Sequence, residues 1–220
     1  MLVAAPPAHV LLLGRSTDGR PIRAIRVGPA NATVRIVVVG CIHGNETAGM
    51  AVTRQLRGRR PPAGTALYLV DTLNPDGVAR GTRQDANGVD LNRNFPGTWK
   101  PLGAPGSVHY GGPRAASERE TRIAVQLIER VRPQLTIWYH QAQAVVDRSG
   151  GDVALERAYS RRVGLPLQTI PPQPGEATRW QNASFRGTTA FVVELPGGPL
   201  PAASVTRHAR AVLSLVPLVR

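Results

Sequence analysis

V-R-I-V-V-V-G-C-I-H-G-N-E-T-A-G, residues Val34 to Gly49, is the stretch from which the rest of the chain can be read. Val34 and the run Ile36 to Val39 are apolar with almost no alternation, the pattern of a strand buried on both faces of a parallel sheet. Gly40 ends the run, and a helical pattern of Met50, Ala51, Val52 and Leu56 follows. Between the two stand His43 and Glu46, three residues apart. Open α/β sheets bind ligands in the crevice at the carboxyl ends of their strands, and that is where this pair falls. A histidine and a carboxylate so close together, joined by a third ligand from elsewhere, suit a catalytic zinc of the two-histidine, one-glutamate type. The same residues also fit a plainer account, with Glu46 complementing a helix N-terminus and His43 an ordinary loop residue.

Working outward, Val10 to Leu13 and Ile22 to Val27 read as two strands around a Gly-, Ser- and Asp-rich turn. The helix after the core strand is expected to run to about Gln55–Arg57, where R-G-R-R-P-P-A-G breaks it. Thr65 to Val70 is the next buried strand, and it too leads into polar residues, D-T-L-N-P-D-G. From Asp71 to Pro113 no helix or strand period is visible, and so long a segment inside a compact domain marks function. Ser117 and Glu120 predict a capping box for a helix that carries Ile123, Leu127 and Val131 and is closed by Pro133. Leu135 to Tyr139 is a third apolar strand, delivering His140 at its end. Asp152 to Val163 reads as a helix stopped by Gly164. I-P-P-Q-P-G-E-A-T-R-W reads as a proline-rich loop, Thr189 to Val193 as a fourth core strand that delivers Glu194, and Pro201 to Val216 as a closing amphipathic helix. Neither an internal repeat nor a linker interrupts the pattern, so one α/β domain over residues 1–220 is expected.

The formal charge of +13 is almost all arginine, since Lys100 is the only lysine. Such a charge fits a polyanionic partner or a solvated, arginine-biased surface. The second reading is favoured, because no basic run is longer than Arg59-Arg60 or Arg161-Arg162. No helix-turn-helix, zinc-finger or RNA-binding pattern accompanies the charge, so no nucleic-acid partner is expected. Cys41 stands alone and reads as a small buried residue. M-L-V-A-A-P-P-A-H-V is too short and too broken by proline for a secretory signal, and no apolar run reaches the length of a membrane span. A cytoplasmic location is expected, or the cell envelope if a leader has been removed.

Four apolar strands thus lead into His43/Glu46, Asp71/Asn74, His140 and Glu194. Parallel strands alternating with helices line these ends along one sheet edge. Polar residues follow strands in any protein, but two histidines and two glutamates gathered at one edge point to a site. The motifs H-G-N-E, N-P-D-G, G-V-D-L-N-R-N-F, Y-G-G-P followed by S-E-x-E-T, the strand-terminal His140 and F-V-V-E-L occur in that order. Together, from about Gly14 to Val216, they resemble a zinc carboxypeptidase of the M14 class. Within the class, the short chain and its E-L-P ending resemble the murein peptide amidase branch.

The resemblance implies a central mixed, mostly parallel twisted sheet flanked by helices, with one zinc ion at its carboxyl edge. It implies His43, Glu46 and His140 as the ligands, leaving an open position for water. Glu194 would be the general base. Asn92 and Arg93 would hold the terminal carboxylate of a short peptide substrate, or alternatively order their loop. Arg83 would stabilise the oxyanion, with Arg80 competing for the role. Thr178 and Arg179 fall where relatives build the specificity pocket. An arginine there would favour an acidic side chain, unless it points to solvent. No tyrosine precedes Glu194 where the larger relatives have one, Trp180 and Phe185 read as core, and Arg119 replaces the proline of S-E-P-E-T. His9, His109 and His208 are treated as structural. The implied activity is hydrolysis of an amide bond near a C-terminal carboxylate, with the γ-D-glutamyl–diaminopimelate bond of murein peptides as the best single substrate. The alternatives are an N-acyl amino acid deacylase, which shares the H-G-N-E start, and a wall- or peptide-binding module without chemistry.

Overall fold

The first two strands, β1 (Ala8–Arg15) and β2 (Pro21–Val27), pair antiparallel in a computed structural model that describes residues 8–219. The M-L-V-A-A-P-P stretch, which bears on the signal-sequence expectation, lies outside the described residues. The chain continues through β3 (Val34–Val39), α1 (Gly49–Arg57), β4 (Thr65–Val70), α2 (Pro75–Arg80), α3 (Arg119–Val131), β5 (Leu135–Asp147), α4 (Val153–Val163), β6 (Leu167–Gln168), α5 (Ala177–Ser184), β7 (Thr189–Pro196) and α6 (Ala202–Ser214). These strands make one mixed sheet. β4, β3, β5 and β7 run parallel at its centre, and β2 joins β4 antiparallel on the outside.

The unalternating apolar run of β3 is explained by two cores, one on each face. Ile36 and Val38 pack with Val52 and Leu56 of α1, Tyr159 of α4 and Ala209 and Val212 of α6. Val37 and Val39 point the other way, to Ile123, Leu127 and Val131 of α3 and Trp180 of α5. Each such side chain withdrawn from water contributes about 1.5–3 kcal/mol. The strand is therefore fixed between two helical layers, and its carboxyl end is a rigid place from which to present side chains.

Four local expectations need correction. The stretch read as a proline-rich loop ends early, because A-T-R-W, Ala177 to Trp180, opens α5. The segment 71–113 contains the six-residue α2, capped by Asn74, whose Oδ1 accepts from the Gly77 amide at 2.8 Å, with Pro75 at its first position and Gly81 left-handed at its end. It also contains a 3₁₀ turn at Leu91–Arg93. Both are too short for a hydrophobic period to show. The capping box does not form. Glu118 precedes α3 without a side-chain cap, Ser117 Oγ donates to Glu118 Oε1 at 2.6 Å, and Glu120 Oε1 accepts the amide of Thr17 at 2.8 Å. Tertiary partners outcompete the local ones. Finally, β5 does not stop at Tyr139. Its register with β7 rises from Leu135–Thr189 to Gln141–Leu195, then falls, so that Val145 also faces Glu194 and Val146 faces Val193. The strand turns back past the end of β7 and clasps it from both sides.

Candidate active site

The loop after β3 is pinned by close backbone contact. Gly40 N donates to Val70 O at 2.8 Å, and Glu46 N donates to His43 O at 2.9 Å, closing a tight turn that brings the two side chains together. Gly44 lies between them because the backbone of α2 leaves no room for a side chain: a Cβ there would stand 2.0 Å from the carbonyl carbon of Gly77. Cys41 is buried with its thiol 3.1 Å from His43 O, and burial pushes that thiol up to about 12, so it is inert packing at physiological pH.

His140, in β5 beside β3, completes a triangle. His43 Nδ1 lies 3.0 Å from Glu46 Oε2, His140 Nδ1 lies 3.0 Å from the same oxygen, and the two Nδ1 atoms are 3.1 Å apart. All three residues are buried. Two imidazole nitrogens and a carboxylate oxygen turned toward one point form a donor set that a divalent cation satisfies. Bonds of about 2.0–2.1 Å in a tetrahedron place the ligand atoms a little over 3 Å apart, so the spacing fits zinc. Burial opposes the charge of Glu46, but the hydrogen bonds from His140 and His43 outweigh it and hold the carboxyl well below its usual range.

Asp90 orders this triangle from behind. His43 Nε2 is 2.9 Å from its Oδ1, and the Asn92 amide donates to the same oxygen at 3.0 Å. Arg83 Nε and Nη2 each meet Asp90 Oδ2 at 3.0 Å, and Nη1 meets Glu46 Oε1 at 2.9 Å. Burial would raise the Asp90 carboxyl, yet the charges of His43, Arg83 and Arg93 hold it far below the usual range. Asp90 stands inside G-V-D-L-N-R-N-F, but sequence reasoning gave it no role. The signal available was an acid next to the proposed anchor residues in a motif otherwise rich in function.

A cavity of about 200 Å³ opens on the triangle. Glu194, delivered by β7, sits in its wall next to His140 in the strand register, and its Oε2 accepts from the Gln143 amide at 3.5 Å. It is outside the group of side chains close enough to share a metal. Asn92 and Arg93 line the same cavity. Asn92 Oδ1 accepts from the Ala177 amide at 3.0 Å, which leaves its NH₂ without a partner among the described residues. Arg93 gives Nη1 to Asn92 O at 2.7 Å, and its buried Nε has no partner among the described residues. Gly175, at φ +71°, lets the chain pass against Arg93, since a Cβ would stand 2.1 Å from Arg93 O.

The remaining candidates separate clearly. Arg83 lines the cavity, whereas Arg80 turns to Asp18 at 2.8 Å. Arg179 is not in the cavity wall and holds Glu176 Oε2 at 3.2 Å, while Thr178 and Glu176 do line it. Asp71 leaves the site altogether, taking the Thr53 hydroxyl and the guanidinium of Arg57. His109, read as structural, stands in the cavity wall 3.4 Å from Asp90. His208 is structural, buried against the Tyr159 hydroxyl at 2.8 Å. Trp180 is buried, and Phe185 packs against the same core.

Comparison with known proteins agrees with this geometry. The zinc carboxypeptidase family description matches residues 4–177. Murein peptide amidase A of Escherichia coli K12 is 31% identical over an alignment of 149 residues that covers 61% of this chain and 60% of that protein, so the match spans less than two thirds of that relative. Murein peptide amidase A of Vibrio campbellii is 28% identical over 92% of this chain and 85% of its own. Among solved structures, the murein-tripeptide amidase of Escherichia coli O157 superposes with a TM-score of 0.72 at 26% identity, covering 99% of this chain and 94% of that one. Thrombin-activatable fibrinolysis inhibitor shares the fold at a TM-score of 0.82 and 17% identity. With four fifths of its length inside the family match and the buried His-Glu-His triangle in place, this chain belongs to the M14 zinc carboxypeptidase family.

Proposed function

We propose that this protein is a zinc-dependent peptidase with a single catalytic domain, and that it hydrolyses the γ-D-glutamyl–diaminopimelate bond of murein peptides. The observation that carries the reading is the convergence, in one cavity, of the buried triangle, a carboxylate outside it, and the polar side chains of Asn92 and Arg93. The names of the amidase relatives point to a murein peptide, and the choice of bond within it follows from the resemblance read in the sequence.

His43, Glu46 and His140 would hold one zinc ion per chain, with Asp90 fixing the tautomer and orientation of His43. Bound there, the metal supplies Lewis-acid polarisation of the scissile carbonyl and a more acidic water. Glu194 takes the proton of the attacking water and returns it to the leaving nitrogen. Arg93 Nε and the Asn92 NH₂ bind the terminal carboxylate of the substrate, a match for a planar guanidinium. Arg83, already held by Glu46 and Asp90, directs its positive charge at the carbonyl oxygen as negative charge develops on it. A cytoplasmic location is part of the same proposal and is tested by fractionation of producing cells. Among the described residues no helix is long and apolar enough to cross a membrane.

The test is mass spectrometry of products from L-Ala-γ-D-Glu-diaminopimelate with zinc-loaded protein, with and without chelator. Chelator-sensitive release of diaminopimelate is expected. The Glu194→Gln variant should keep its zinc and lose about 10²–10⁴ in kcat. Turnover retained in that variant overturns the role of Glu194, and release confined to ordinary peptides overturns the murein substrate.

A further inference from the structure

The cavity wall holds one more carboxylate, seven residues beyond His140. Where β5 turns back along β7, Val146 faces Val193, so the register sets Asp147 beside Val192. Val192 and Glu194 are two apart on one strand and share a face, which places Asp147 about 7 Å below Glu194. Asp147, Val192, Ile170, Pro171 and Gln173 form this deeper part of the cavity.

Asp147 is 9% exposed and firmly held. Its Oδ1 accepts the Ile170 amide at 2.7 Å, and its Oδ2 accepts the Ser149 hydroxyl at 2.7 Å. These neutral donors fix its direction but leave its charge without a counterion among the described residues. The other cavity carboxylates are accounted for: Glu46 has Arg83, Glu176 has Arg179 and Arg93, and Glu194 is reserved for proton transfer. A carboxylate accepts up to about four hydrogen bonds, so Asp147 keeps capacity for a donor entering from the cavity. Its uncompensated charge is felt nearby. Burial, with Asp147 adding to it, pushes Glu156 up to about 7.

We infer that Asp147 is a specificity determinant, and that it receives an ammonium on the side chain of the residue released from the C-terminal side of the cleaved bond. The inference rests on the peptidase reading above and narrows its substrate class. Diaminopimelate and lysine carry such an ammonium at the end of a side chain long enough to descend beside Val192, whereas norleucine and 2-aminoadipate do not. The preference is thus opposite to the one expected from Arg179, which lies outside the wall.

The test uses L-Ala-γ-D-Glu-X peptides, with X diaminopimelate, lysine, norleucine or 2-aminoadipate, on zinc-loaded protein. Calorimetric binding of free lysine and norleucine to the metal-free protein runs beside it. In the wild type, kcat/KM for lysine and diaminopimelate should exceed that for norleucine at least tenfold, and lysine should bind at least tenfold tighter than norleucine. In Asp147→Asn the lysine-to-norleucine ratio should fall at least tenfold in both assays, with thermal melting confirming a folded variant. A wild type that does not separate lysine from norleucine, or a variant that keeps the wild-type ratio, overturns the inference and leaves the peptidase reading standing. Discrimination in binding with no hydrolysis of any peptide overturns the peptidase reading instead.

Discussion

Asp90→Asn is the substitution that tests the site most directly, because every hydrogen bond made by the Asp90 carboxylate is an accepted one. Oδ1 faces the imidazole of His43 and the amide of Asn92, and Oδ2 faces two nitrogens of Arg83. An asparagine must turn its NH₂ toward one of those pairs, and in either orientation a donor meets donors. The change also removes a negative charge buried beside Arg83. Breaking a buried ion pair from one side costs about 3–5 kcal/mol, and because Glu46 still holds Arg83 the lower figure applies. For a chain of this size, 3 kcal/mol lowers Tm by about 6–12 °C. His43 is released from its fixed orientation, which should weaken zinc binding about 10–100-fold. Competition with a chromophoric chelator measures the affinity, and scanning calorimetry of the metal-free protein measures the stability. A variant that binds zinc within twofold of wild type and melts within 2 °C of it would refute the assignment of Asp90 as the support of His43.

Arg83→Met should lower kcat about 10²–10³-fold, as loss of an oxyanion donor does, while Arg80→Met stays within about twofold; steady-state kinetics on one peptide separates them. Gly44→Ala forces a methyl into the backbone of α2 and should cost about 2–3 kcal/mol, seen as a Tm lowered by at least about 4 °C. Burial pushes His208 down to about 4. Above the ordinary value of 6.5 it is neutral in both states, and between 6.5 and 4 the unfolded chain takes up a proton that the native protein refuses. The wild type should therefore lose about 3 kcal/mol over that interval relative to His208→Gln, read as the difference between two urea-stability profiles against pH. Parallel profiles would remove His208 as the source.

The fold was legible wherever burial was two-sided or helices were long. β3, β4 and α4 stand within a residue of expectation, because a strand between two helical layers must be apolar throughout and because Asp152 and Gly164 mark the ends of α4 in the sequence. α2 escaped because six residues carry no period, and the capping box failed because Glu120 found the amide of Thr17 on a distant turn. In the site, spacing alone left His43 and Glu46 open between a metal pair and ordinary loop residues. The ordered motifs and strand ends together drew attention to them with His140 and Glu194, and the structure gathers all four at one cavity. Which of Arg80 and Arg83 reaches the cavity could not be read from the sequence, because it depends on the left-handed turn at Gly81 that ends α2 between them. Asp147 was out of reach, since only the turn of β5 around β7 brings a residue so far past His140 back to the cavity.

That clasp has a further consequence for how the protein comes into being. His43 and His140 are separated by 97 residues, and both leave the ribosome before any part of β7. β7 arrives afterward and takes its place between the two limbs of β5. The growing chain therefore carries all three members of the His43, Glu46 and His140 triangle before Glu194 has been made.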